Sequence, residues 1–188
     1  MYEPRPVPWS QVQSWTCDAC GECCKWFSVP LSTYEHANIG QTYGFDMVEV
    51  SDGRSWLRKS IDNRCVFMIL HDGRWLCGLQ GEKPYVCRIW PFRVADNPLY
   101  GRGLRARYEN EEWAGYVYLD PRCPEIVYGE PTPHFTHNVI REFVELVLGK
   151  TEHQSYSTAH LPPSHLRRFP MHLQTLGDHY SLQDLQLL

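Results

Sequence analysis

The clearest hydrophobic periodicity in the chain falls in residues 133–148, where Phe135, Val139, Phe143, Val144, Leu146 and Val147 recur at helical spacing. A long helix is predicted there, capped by Thr132 and stopped by Gly149. Upstream the period shortens to that of strands. Residues 45–50 and 54–57 flank Ser51-Asp52-Gly53, and residues 65–70 and 74–77 flank His71-Asp72-Gly73, so two hairpins are expected. Cys65 and Cys77 would then face each other at the open end of the second hairpin. Ser32-Thr33-Tyr34-Glu35 reads as a capping box opening a short helix to about residue 38 or 41. Pro84 suits the first position of another short helix, which Pro91 ends. Residues 102–108 and 115–119 read as two further strands.

This pattern predicts a small α+β fold: loop-rich, metal-stabilised, with short β-hairpins and one long helix in the C-terminal half. Residues 1–14, with Pro4, Pro6 and Pro8, read as an extended, poorly ordered arm, and 15–150 as one domain. Residues 151–188 hold five of the nine His and no Cys, and read as a tail with short helices.

Composition narrows the function. The 188 residues carry 18 Lys and Arg against 22 Asp and Glu, a net charge of −4, which offers no general basic field for nucleic acid. No apolar run reaches the ~18 residues of a membrane span. The N-terminus lacks the apolar stretch of a secretory signal. A cytoplasmic location is therefore expected, where disulfides rarely persist and eight cysteines need another explanation.

Four of those cysteines form one run, Cys17-Asp18-Ala19-Cys20-Gly21-Glu22-Cys23-Cys24. A C-x-x-C turn lets two thiolates converge on one ion, and Gly21 permits the tight backbone after the second ligand. The third cysteine at the same interval matches the opening of a bacterial ferredoxin run, although the expected Cys-Pro three residues on is absent. In an extended segment Cys23 and Cys24 would point to opposite faces, which makes Cys24 the least secure ligand. Cys65, Cys77, Cys87 and Cys123 are scattered, so the chain must fold back to complete the coordination. All eight are candidate metal ligands. Four have a basic neighbour (Lys25, Arg64, Arg88 and Arg122) suited to balancing the charge of a metal–thiolate centre.

The run 17–24, Cys65, Cys77, the segment Lys83-Pro84-Tyr85-Val86-Cys87-Arg88-Ile89-Trp90-Pro91 and Cys123-Pro124 together resemble the CxxCxxCC, or YkgJ-like, cysteine-cluster family. That family is described as zinc- or iron-chelating. The resemblance covers about residues 15–126 and departs at Lys83, where the family usually has Arg; the positive charge survives but the planar fork does not. It implies a metal–thiolate cofactor, either an iron–sulfur cluster of the [4Fe–4S] kind or zinc. The family includes flagellin lysine N-methylases, which look like iron–sulfur enzymes, so an iron–sulfur-dependent transferase or a redox protein is one expectation. The other is a structural zinc module that mediates contact with a partner protein and has no catalysis. A metal-free thiol oxidoreductase using Cys17 and Cys20 would need a thioredoxin-like βαβ setting that the pattern does not provide. No phosphate-binding loop is present, and no motif locates a methyl-donor pocket.

Overall fold

In the computed structural model, which describes residues 4–101 and 103–157, the chain divides into two units instead of the one domain expected over 15–150. Residues 19–88 form one. Residues 4–18 and 89–157 form the other.

The 19–88 unit is assembled from short pieces. Helix α1 (Glu22–Trp26) starts at Gly21, whose φ of 76° lies in the left-handed region. A Cβ on Gly21 would sit 2.7 Å from the Cβ of Trp75, so both conformation and space demand glycine there. Helix α2 (Thr33–Tyr43) opens with the expected capping box: Glu35 N–H donates to Ser32 Oγ at 3.2 Å, and Ser32 N–H donates to Glu35 Oε2 at 2.7 Å. The helix runs beyond residue 41 and stops at Gly44, where φ is 105°.

Strands Val48–Ser51 and Arg54–Leu57 pair antiparallel, with Pro30–Leu31 on the other side of Arg54–Leu57. Met68–His71 and Arg74–Cys77 form the second hairpin. Both turns place Asp-Gly at positive φ, 52° and 70° at Asp52-Gly53 and 47° and 75° at Asp72-Gly73, which is the backbone a two-residue hairpin loop requires. The hairpins start later than the sequence pattern suggested. Phe45–Met47 is a 3-10 turn, and Cys65 lies before the second hairpin, in whose register Cys77 faces Met68. Helix α3 (Tyr85–Ile89) follows Pro84 directly and carries Cys87. The core of this unit is Val29, Leu31, Ile39, Met47, Leu57, Phe67 and Leu79, with Cys65, Cys77 and Cys87 packed against it.

The second unit is built on a four-stranded antiparallel sheet. Ala114–Leu119 is paired by Val7–Pro8 (Val7 opposite Leu119), by Phe92–Ala95 and by Arg107–Glu109. Val12–Ser14 pairs with Val127–Tyr128 in a second small sheet. The N-terminal segment is thus built into the fold and is not the loose arm that its prolines suggested: Val12 is fully buried and Trp15 nearly so.

A short helix, α4 (Gly103–Ala106), replaces the first half of the strand expected at 102–108. Strict alternation would bury Leu104 with Ala106 and Tyr108. Leu104 is instead 97% exposed while the other two are buried. The long helix is present: a π-helical turn at Phe135–Val139 continues into α5 (Ile140–Val147). Thr132 Oγ1 accepts the Phe135 N–H at 3.2 Å, and Gly149 follows at a φ of 68°. Its buried face (Phe135, Val139, Ile140, Phe143, Val144, Leu146) meets Phe92, Val117 and Leu119 of the sheet. Phe92 and Phe143 stack at 4.0 Å, and Trp15 stands edge-on to both.

Of the tail, residues 151–157 form no helix. Their backbone N–H groups at Ser155 and Tyr156 donate to the Glu142 carboxylate at 2.8 and 3.2 Å. The short helices expected further on fall on 158–188, outside the described residues. Among the described residues, no helix is long and apolar enough to cross a membrane.

Candidate metal centre

Helix α1 changes the geometry that an extended reading of Cys23 and Cys24 implies. Adjacent side chains on a helix diverge by about 100°, not 180°, and the two sulfurs lie 4.0 Å apart. Cys65 is tied to the same helix, since its N–H donates to the Cys24 carbonyl at 2.9 Å. Cys77 ends the second hairpin and Cys87 lies in α3. Each element is short and none would fix a thiol alone.

Beyond the Cys23–Cys24 contact, the thiols act on one another electrostatically. Cys24 is pushed up by burial and by the charges of Cys65, Cys77 and Cys87, although its contact with Cys23 works in the other direction. Cys23 is held well above the usual thiol range by the Cys24 contact first, then by burial. Burial, followed by Cys77, raises Cys65 to about 12. Cys77 is raised by burial, and Cys87 is raised well above its ordinary value by burial and then by Cys77, Cys65 and Cys23. Ionisation is therefore disfavoured across one linked set of thiols: Cys23, Cys24, Cys65, Cys77 and Cys87.

Two kinds of group work in the other direction. Backbone N–H groups two residues on, at Phe67 and Leu79, hydrogen-bond the sulfurs of Cys65 and Cys77. Lys83 lowers Cys23, Cys77 and Cys87, and Lys59 lowers Cys65. Neither lysine is adjacent to a cysteine in the sequence, so charge next to the ligands does not reveal them. Lys83, already notable for replacing Arg, was the available signal.

The four basic neighbours have partners of their own. Lys25 meets Glu22 at 2.5 Å. Arg64 pairs with Asp62 at 2.9 Å and lies over the Trp75 ring at 5.3 Å. Arg88 lowers the phenol of Tyr85, whose net shift is upward through burial. Arg122 grips the buried Asp120 through Nε and Nη2 at 2.9 and 2.6 Å and lies over Trp90 at 5.5 Å.

Cys20 belongs to the same unit as the five, between Ala19 and Gly21, both at positive φ. Cys17 and Cys123 belong to the other unit, where both pack against its core. There the Trp15 indole N–H donates to Cys123 Sγ at 3.3 Å. Glu125 in that unit is pushed up by burial and by the charge and hydrogen bond of Asp18. No disulfide joins any of the eight.

The donor set fits a thiophilic metal. Linked, half-buried thiols hold their protons, and a cation that replaces those protons offsets the charge the thiolates would otherwise share. The 4.0 Å between Cys23 and Cys24 is close to the ~3.8 Å expected of two thiolates on one tetrahedral zinc with Zn–S of about 2.3 Å. His134 and His137, spaced for one helix face, are both exposed, and the His134 ring lies edge-on to Tyr156.

No curated protein and no solved structure matches the chain significantly. One family model does, over residues 16–124: CxxCxxCC, described as a putative zinc- or iron-chelating domain. That span contains all eight cysteines, including the five of the linked set, and the chain belongs to this zinc- or iron-chelating CxxCxxCC family.

Proposed function

We propose that the protein carries an iron–sulfur cluster on these cysteines and works in a redox or group-transfer role in the cytoplasm. The observation that carries this reading is the spread of the thiol set: Cys23, Cys24, Cys65, Cys77 and Cys87 act on one another, yet among the described residues no three of their sulfurs lie within 4.8 Å of one another, wider than the ~3.8 Å between thiolates on one zinc ion. A bound cluster would supply electron-transfer or substrate-activating chemistry, at a potential set by nearby charge, hydrogen bonds and solvent exposure. The chain provides each of those controls. The Phe67 and Leu79 N–H groups donate to sulfur, Lys83 and Lys59 supply positive charge, and the core around Phe67 and Leu79 limits water.

A second reading rests on the Cys23–Cys24 separation, which suits two ligands of a single zinc ion. Such a site would brace the 19–88 unit for contact with a partner protein and would have no redox states.

Metal and sulfide analysis of protein purified without oxygen, with its absorption spectrum, separates the two. Stoichiometric iron and sulfide with broad absorption near ~400 nm is the expected result, because zinc is d10 and colourless. Stoichiometric zinc with negligible iron and sulfide would overturn the iron reading in favour of the structural one.

A further inference from the structure

Among the described residues, every buried side-chain polar atom without a hydrogen-bond partner lies in the 19–88 unit: His36 Nδ1, both amide atoms of Gln80, and Glu82 Oε2. Gln80 is the extreme case. It is 6% exposed, and neither its Nε2 nor its Oε1 is satisfied. A buried amide is ordinarily paired, because desolvating it without a partner is costly. An apolar side chain of similar size would fill the same space without that cost.

The position of Gln80 suggests what it serves. It opens a 3-10 turn, Gln80–Glu82, three residues after Cys77 and seven before Cys87. Cys77, Leu79 and Cys87 all pack on one core cluster, so the segment leaves the thiol set and returns to it. The neighbouring Leu79 N–H already donates to the Cys77 sulfur. The remaining orphans suit the site less well. Glu82 offers an acceptor where thiolate sulfur also accepts, and His36 lies on α2 with its ring against Phe45 at 5.9 Å. Of the unsatisfied groups able to donate an N–H, the Gln80 amide and the His36 imidazole, only Gln80 lies on the segment between Cys77 and Cys87, and an N–H donor is what metal-bound sulfur takes.

We propose that Gln80 is a positioning residue of the filled centre, its side-chain amide donating a hydrogen bond to metal-bound sulfur. This rests on the metal–thiolate reading above, with either iron or zinc. Metal-bound sulfur would give the amide the partner that the described protein atoms do not.

The test uses the full chain in wild-type, Gln80→Leu and Gln80→Glu forms, purified without oxygen with the metal each retains. Loss of that metal to a chromophoric chelator is followed in time, and melting is recorded with and without metal. Gln80→Leu should melt no lower than wild type when metal-free, yet release metal roughly 10- to 100-fold more readily. Gln80→Glu keeps the shape and loses the neutral N–H donors, so it should also release metal faster even if the leucine variant folds poorly. Equal retention in all three proteins would overturn the inference while leaving the metal centre standing. Equal destabilisation of the metal-free and loaded forms by Gln80→Leu would also overturn it, by making Gln80 an ordinary core residue. A wild type that retains no metal would overturn the metal-centre reading itself.

Discussion

The two units close their interiors in different ways. In 4–18 with 89–157, nine side chains are essentially inaccessible: Val12, Phe92, Val117, Leu119, Phe135, Val139, Ile140, Phe143 and Val144 share one apolar cluster. Its buried carboxylate, Asp120, is paired with Arg122. In 19–88 the apolar cluster has seven members, the sheets have two or three strands, five linked thiols resist ionisation and, among the described residues, several buried polar atoms lack partners. The first unit is complete by packing. The second has the composition of a fold finished by a bound ion, where binding free energy is folding free energy.

The comparison breaks most visibly on metal removal. Chelation should cost the 19–88 unit on the order of 10 kcal/mol of binding-linked stability. Amide exchange read by mass spectrometry should then show protection collapsing over α2 and both hairpins while it persists in Ala114–Leu119 and α5. Uniform loss across both units would erase the distinction. The converse experiment is Phe143→Ala, which removes the ring stacked on Phe92 and should cost about 3–5 kcal/mol. Bound metal per chain should be unchanged in the fraction that stays folded.

Smaller effects sharpen the picture within the cysteine unit. Gly21→Ala forces a side chain into a left-handed position against Trp75 and should cost roughly 2 kcal/mol, with weaker metal retention because α1 carries Cys23 and Cys24. Ser32→Ala removes the α2 cap for about 1 kcal/mol, visible as a small fall in the melting temperature with metal retention unaffected.

Local chemistry made several elements legible in the sequence. The capping box at Ser32, the two Asp-Gly turns and the stop at Gly149 depend on residues a few positions apart, and all are present. The strand expected over 102–108 fails in its first half because Leu104 faces solvent, a choice made by the packing of Ala106 and Tyr108 and not by alternation. The proline-rich start looked loose because its partners, Leu119 and Tyr118, are more than a hundred positions away. At the metal centre the ligand types were legible and their grouping was not. Cys24 looked insecure only while its segment was taken as extended; the helix started by Gly21 brings it beside Cys23. The lysines that act on the thiols reach them through the fold, so adjacency in sequence could not find them.

The pairing of Val7 with Leu119 has a consequence for how the chain is made. During synthesis the first strand leaves the ribosome long before the strand it needs, and α5 emerges later still. Residues 19–88 are synthesised before Ala114–Leu119, the strand on which the other unit's sheet is built. The growing polypeptide therefore reaches a stage at which residues 19–88 are fully made while the other unit waits on a loop closure of over a hundred residues, the kind of long-range step that slows folding.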